Sequence, residues 1–575
     1  ELDGVVAGLS RAYHPGADTR AAVVTPLAEQ LFGPTRTALA VLFGAVLLVL
    51  LVACANVSVL LLVRAMARQR EIAVRVALGA SRSRLLRALL VEGGLIALAG
   101  GALGMLIAVW GVELLVALVP AEVPRLADAS VDARVLAFAV GLTAVSVLVA
   151  GLAPALMASS PSLTDALAEG PRAHGGSRRH RRLQSLLLGG EAAVALVLLA
   201  GAGLLVQTFQ NLRHVDLGYD PQRLLTFELS HPRNKYRQPA ERRELYRALV
   251  EGIRALPGVE ASAMVLLRPL WGEVGLDWPF RVERQTEAEG HRNPALNLEV
   301  VTPDYFRVMR IPVLRGRGFD SRDAGDAPVA IVVSRTLAER YWPGQDPIGK
   351  RVEMPLPTAP YPRGWVTVVG VAGDARYREL QQARLDVYLS NLQSDEPMRH
   401  VVVRTAGDPL APAAAIRSAV RALDRDLVSS EMAGMDRLVD RALAGSRFGT
   451  QVLSGFALAA LLLATLGTYG IVAFAMGRRT REIGVRMALG ARPSAVAALV
   501  VRQGLTPVVL GLVVGVAAAL ALGRTLAGLL FEVAPTDAAS LGLAAAVLGT
   551  SALAACTLPA VRAACIDPAR ALRED

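Results

Sequence analysis

Arg70–Ala80 reads REIAVRVALGA and Arg481–Ala491 reads REIGVRMALGA, one undecapeptide written twice with nine identities at an offset of 411. The offset holds upstream, where Leu27 falls on Leu438, and shortens to 405 downstream, where Pro154-Ala155 falls on Pro559-Ala560 and Leu167 on Leu572. Self-similarity on this scale means that one structural unit is used twice. In both copies the undecapeptide joins two long apolar stretches, so the membrane decides how the unit is read.

Crossing a bilayer takes about 20 mostly apolar residues, at about 1.5 Å of helix per residue. Thr37–Val63, Gly93–Val112, Val135–Met157, Phe448–Met476, Gln503–Gly523 and Ala538–Val561 carry no charge, and 183–209 carries only Glu191. Seven spans are therefore expected. Hydrophobic residues make up 53% of the 575, and the mean hydropathy is +0.42, which excludes a disordered chain. Connections 64–92, 165–190, 477–502 and 562–575 hold 7, 5, 6 and 3 arginines, against 2 and 1 in 113–134 and 524–537. Positive residues stay inside, so the first set is cytoplasmic, and 210–447 lies outside. The net charge of +11 is then a topology signal, and no nucleic-acid partner is expected.

The expected map is the tail of an outside domain at 1–36, a three-span unit at 37–165, a cytoplasmic linker at 166–182, a stalk helix at 183–209, an outside domain at 210–447 and a second three-span unit at 448–575. The second unit is preceded by a stalk and a whole domain; the first has only residues 1–36 before it, and the chain starts with Glu. The repeat thus implies eight spans in a 4+4 arrangement, with a first stalk and most of a first outside domain ahead of the sequence given.

The outside segment mixes short apolar runs with turn residues. Helices are expected at Ala240–Leu256, Thr336–Tyr341 and Ala411–Leu423, and strands at Ala261–Leu267, Val329–Val333, Trp365–Val371 and Val401–Arg404. The fold class is a polytopic α-helical membrane protein with an α+β outside domain. Gly344–Lys350 fits G-x4-G-K, but Arg351 stands where a phosphate loop needs Ser or Thr, so a turn is expected. Three cysteines give no metal spacing and no disulfide framework, and seven histidines form no H-E-x-x-H pair. With no G-x-S-x-G elbow either, no catalytic residue, metal or bound cofactor is expected on this chain.

The undecapeptide reads as a short helix. Glu71 and Arg75 pair at i, i+4, Ile72/Val76 and Val74/Leu78 form apolar pairs, and Gly79 breaks the helix before Ser81. Such a helix lies on lipid, packs on its own bundle or docks in a partner's groove. Docking best explains why both copies keep the same Glu, Gly and Ala. The candidate coupling residues are Glu71, Ile72, Arg75, Leu78, Gly79 and Ala80, with Glu482, Ile483, Arg486, Leu489, Gly490 and Ala491. Glu191, the intramembrane acid, lies about 12 Å into its helix. It serves a proton or substrate contact, or it snorkels or pairs with Arg181 or Arg182. Gly201/Gly203 and Gly511/Gly515 suggest close helix packing.

R-E-I-x-V-R-x-A-L-G-A after an apolar helix resembles the signature of FtsX-like permease domains of the MacB and lipoprotein-releasing ABC transporters. Tyr305-Phe306, Arg315–Phe319 and Tyr341–Lys350 resemble the MacB-like periplasmic core domain. The whole resembles the acidobacterial-type duplicated permeases. This resemblance implies a multi-pass protein of the bacterial inner membrane with its large domain in the periplasm. It implies a mechanotransmitting ABC transporter subunit, with ATP and Mg held by a partner ATPase at the cytoplasmic face and the undecapeptides as coupling helices. Export of hydrophobic cargo, peptide or lipoprotein follows as the expected activity, with a periplasmic or outer-membrane partner beside the lipid bilayer. The alternative is a force transmitter that moves no substrate and activates a periplasmic hydrolase.

Overall fold

A computed structural model describes residues 26–67, 82–118, 131–158 and 178–564, except 233–234, 273–274, 326, 357–362, 431, 478–479 and 490, together with residues 2, 4, 5 and 8. The chain divides into two compact units. One contains Leu212–Ala444; the other joins Pro26–Asn211 to Gly445–Asp575.

The second of these is helical. Its elements are α1 (Leu27–Ala67), α2 (Arg82–Leu118), α3 (Ala133–Ala158), α4 (Arg178–Arg213), α5 (Met435–Gly477), α6 (Thr480–Ala488), α7 (Pro493–Leu526) and α8 (Ala538–Ala564). Every stretch expected to cross the membrane is helical. Among the described residues, five helices have the length and composition to cross, in α1, α4, α5, α7 and α8. The apolar windows described in α2 and α3, Ala97–Glu113 and Ala133–Leu148, are shorter.

α4 is the most enclosed of the five. Small residues allow this, because in lipid helices associate through close backbone approach rather than through apolar burial. A Cβ on Gly511 of α7 would overlap the Gly189 carbonyl of α4, and one on Gly515 would lie 2.9 Å from the Ala193 carbonyl. The close packing expected of the Gly511/Gly515 pair is present. Farther along, Gly201 faces Leu453 of α5, and Gly203 faces Ser540 of α8, whose hydroxyl is 3.2 Å from Gln207 Oε1. α2 and α1 pack on α3, and α7 packs on α8.

The other unit is built on a 13-stranded mixed sheet. Its middle runs through strands Leu224–Ser230, His400–Thr405, Val259–Val265, Leu296–Val301, Asp386–Ser390, Ala330–Ser334 and Arg363–Ala372. Leu296–Val301 pairs in parallel with Asp386–Ser390, and Ala330–Ser334 with Arg363–Ala372. Helix Pro239–Arg254 starts with Pro at its first turn and a Gln238/Glu241 capping box, and buries Leu245, Leu249 and Ile253. These share an apolar core with Leu298, Val300, Val387, Leu389 and Ile416. The G-x4-G-K stretch is the expected turn, between helix Arg335–Tyr341 and strand Arg351–Pro355, with Gly344 and Gly349 at φ +70 and +80. Lys350 Nζ donates to Gln345 Oε1 at 3.1 Å, not into an open cradle.

Candidate coupling site

The second undecapeptide forms α6 and the turn into α7. Glu482 and Arg486 pair across one helical turn at 2.7 Å, both partly exposed. Such a pair adds about 0.2–0.5 kcal/mol to a short helix. The chain then turns: Leu489 N donates to Val485 O, and Ala491 N to Arg486 O, each at 3.0 Å. Arg492 takes the extended N-cap position and Pro493 opens α7, a residue type whose missing N–H is harmless there. The break expected after the first helix therefore exists in this copy.

α6 has two faces. Ile483, 5% exposed, packs with Val472, Met476, Val496, Val500 and Cys556. Val485 and, above all, Leu489, 83% exposed, point away from that core. Ile483 thus anchors the helix to its bundle. Ala491, Glu482 and Arg486 line a cavity of about 120 Å³ beside α7. Gly490 lies outside the described residues, as does the whole first copy, Glu71, Ile72, Arg75, Leu78, Gly79 and Ala80.

Glu191 occupies a different place, deep in the helical unit. It is 2% exposed, and neither carboxylate oxygen has a hydrogen-bond partner. It therefore neither reaches an interface nor pairs with Arg182; the Arg181 side chain lies outside the described residues. Its surroundings contain two residues that sequence reasoning missed. Asn56 of α1 donates to Leu463 O of α5 at 2.9 Å, and Gly467 of α5 has Asn56 Oδ1 and Glu191 Oε2 where its Cβ would stand. A signal existed: Asn56 and Gly467 are partners in the 411-residue repeat, so α1 and α5 meet at equivalent positions.

The outside unit holds its own buried polar seam. Asn297 Nδ2 donates to Asp386 Oδ1 at 2.8 Å, and Arg378 Nε donates to Asn297 Oδ1 at 3.1 Å. Leu267 N donates to Glu299 Oε2 at 3.1 Å, and the Tyr305 and Tyr377 hydroxyls are hydrogen-bonded to each other. Burial pushes the Asp386 carboxyl up to about 8 and Glu299 well above the usual carboxylate range. No group of three His, Cys, Asp or Glu side chains able to hold a metal occurs among the described residues.

The helical unit with an appended sheet domain defines a multi-pass inner-membrane permease whose α/β domain is periplasmic. Residues 188–423 match the MacB-like periplasmic core domain, and 43–163 and 454–568 each match the FtsX-like permease C-terminal domain. The chain belongs to the FtsX/MacB-like ABC permeases. It is 28% identical over 287 residues to the macrolide export ATP-binding/permease protein MacB 2 of Aeromonas hydrophila, covering 47% of this chain and 42% of that one. To the probable syringafactin export ATP-binding/permease protein SyfD of Pseudomonas syringae pv. tomato it is 25% identical over 240 residues, 39% of this chain and 34% of that one. The periplasmic region of MacB from Actinobacillus actinomycetemcomitans is similar at 13% identity and a TM-score of 0.26, over 40% of this chain and 95% of that one. The chain spans less than half the length of the curated relatives it matches.

Proposed function

We propose that this permease chain receives force from a partner ATPase at its cytoplasmic elbows and passes it through the helical unit to the periplasmic domain, driving export of hydrophobic cargo, peptide or lipoprotein. The observation that carries this reading is the division of labour on α6: Ile483 fixes the helix to the bundle, and Leu489 stands 83% exposed beside the Glu482–Arg486 pair. An anchored helix with a free apolar tip suits a groove on a partner better than a lipid surface, where both apolar residues would turn to one side. The names of the relatives pair ATP binding with permease, and this chain matches less than half of each. In this reading ATP and Mg are held by the partner ATPase.

The two faces give the test. Leu489→Ala, and separately Glu71→Lys with Glu482→Lys, should each lower the ATPase subunit that copurifies with the full chain by about tenfold, a difference of about 1.4 kcal/mol. Neither should change the melting temperature of the purified chain. Ile483→Ala should instead cost about 2–4 kcal/mol of stability, the usual range for emptying a buried aliphatic site. Undiminished ATPase recovery in both elbow variants would refute the docking reading.

A further inference from the structure

α4 and α7 touch through glycine, and beside that contact they leave a groove. A Cβ on Gly189 would stand 3.1 Å from Pro507 O, so little separates the two backbones there. The groove, of about 760 Å³, runs from Arg182 to Ala193 on α4 and from Pro507 to Val514 on α7. Its apolar walls face outward: Leu186 is 72% exposed, Leu510 64% and Val514 62%. Gly190 also lines it, and a Cβ there would meet nothing within 4 Å. The eleven residues of rise from Arg182 to Ala193 make about 16 Å, the depth of one leaflet in a hydrocarbon layer of about 30 Å.

The groove has one charged end. α4 leads at its carboxyl end into the periplasmic domain, so Arg182, near its start, stands at the cytoplasmic face. Arg182 is exposed and makes no hydrogen bond or ion pair among the described residues. It closes the run Arg178-Arg179-His180-Arg181-Arg182, and Ser185 follows it along the groove. Spread over its length, the volume gives a cross-section of about 46 Å², too narrow to sink a helix about 10–12 Å across. An apolar trough one leaflet deep, under an unpaired arginine, fits an amphiphile with an acyl chain and an anionic head. We infer that this groove holds one anionic phospholipid of the inner leaflet, its phosphate on Arg182 and one acyl chain along Leu186, Gly190, Leu510 and Val514. A zwitterionic lipid brings the same phosphate together with an ammonium that the arginine cluster repels.

Native mass spectrometry of the full chain, purified in detergent and stripped of lipid, tests the site. Palmitoyl-oleoyl phosphatidylglycerol should bind as one molecule, about tenfold more tightly than phosphatidylcholine with the same chains, a difference of about 1.4 kcal/mol. Arg182→Gln should bring phosphatidylglycerol down to the phosphatidylcholine level. Gly190→Leu, which fills the trough, should weaken both lipids about tenfold. Without added lipid both variants should melt with the unchanged chain, because Arg182 has no partner to lose and Gly190 has open space around it. Equal affinity for the two lipids, or a preference that survives Arg182→Gln, would overturn the assignment. Undiminished binding to Gly190→Leu would do the same, by placing the lipid on the arginine cluster alone. A lowered melting temperature in Gly190→Leu would show a groove already filled by protein. A dimer that dissociates in Gly190→Leu would give the groove to a second copy, and either result would also overturn the site.

Discussion

The two halves of the permease share a sequence plan and differ in what surrounds it. At Gly511 and Gly515 the second half is closed by α4; at Gly100 and Gly104, the same positions at the 411-residue offset, a Cβ would meet nothing within 4 Å. At the α1–α5 crossing the halves meet at one repeat position, yet one contributes an amide and the other no side chain. Asn56 reaches Leu463 O across the crossing, and Gly467 leaves the space that Asn56 and Glu191 occupy. The comparison teaches that a duplicated unit repeats its small-residue positions in sequence, while the polar groups at the shared crossing diverge. One side chain fills the space that the other position leaves empty.

The largest expected effect breaks this comparison at these glycines. Gly511→Leu forces a side chain into the Gly189 carbonyl, which neither helix can relieve without separating. Overpacking of this kind costs about 3 kcal/mol or more, while the equivalent Gly100→Leu should change the stability of the chain by less than about 0.5 kcal/mol. Thermal unfolding of the two purified variants measures the contrast, and equal losses would mean that Gly100 is packed as Gly511 is. The crossing comes next. Gly467→Ala places a methyl against Asn56 Oδ1 and Glu191 Oε2 and should cost about 2 kcal/mol. Its repeat partner, Asn56→Ala, removes one interhelical hydrogen bond and should cost about 0.6–1 kcal/mol. A reversed order would show that the amide, not the gap, holds the crossing.

Much of this was legible in the residues, and the failures have physical causes. Long apolar runs, six of them free of charge and one carrying only Glu191, marked every helix of the expected spans, because lipid rarely tolerates a charge. The elbow was legible because Gly490 and Pro493 punctuate it. In the periplasmic domain, strands with apolar runs, such as Ala330–Ser334 and His400–Thr405, stood out, and helix Pro239–Arg254 showed its i, i+4, i+8 stripe. Strands Leu296–Val301 and Asp386–Ser390 did not. Their alternate residues Asn297, Glu299 and Asp386 have the pattern of a solvent-facing row, but the sheet buries both its faces there, with Asn297 donating to Asp386 and Leu267 N to Glu299. Of the candidate coupling residues in the second copy, sequence pattern identified the helix but not its faces: only packing shows that Ile483 is committed inward and Leu489 outward. Asn56 was invisible to hydropathy, since a single amide barely lowers the mean of a 26-residue apolar span.

Glu191 gives the smallest expected effect and the sharpest use of the comparison. It belongs to α4, the helix packed on α7 of the second half, and it enters the crossing from one side. Its carboxylate has no hydrogen-bond partner, and Gly467 gives it room rather than contact. A buried acid without a partner contributes no interaction that its amide would lose, while the amide sheds an ionisable group from an apolar site. Glu191→Gln, equal in shape, should therefore leave stability unchanged or raise it by less than about 1 kcal/mol, the range of interhelical polar contacts in membranes. Thermal unfolding of the full chain reads the sign. A loss larger than that range would mean that the carboxylate is engaged at the crossing. The asymmetry between the halves would then be an interaction and not a vacancy left by Gly467.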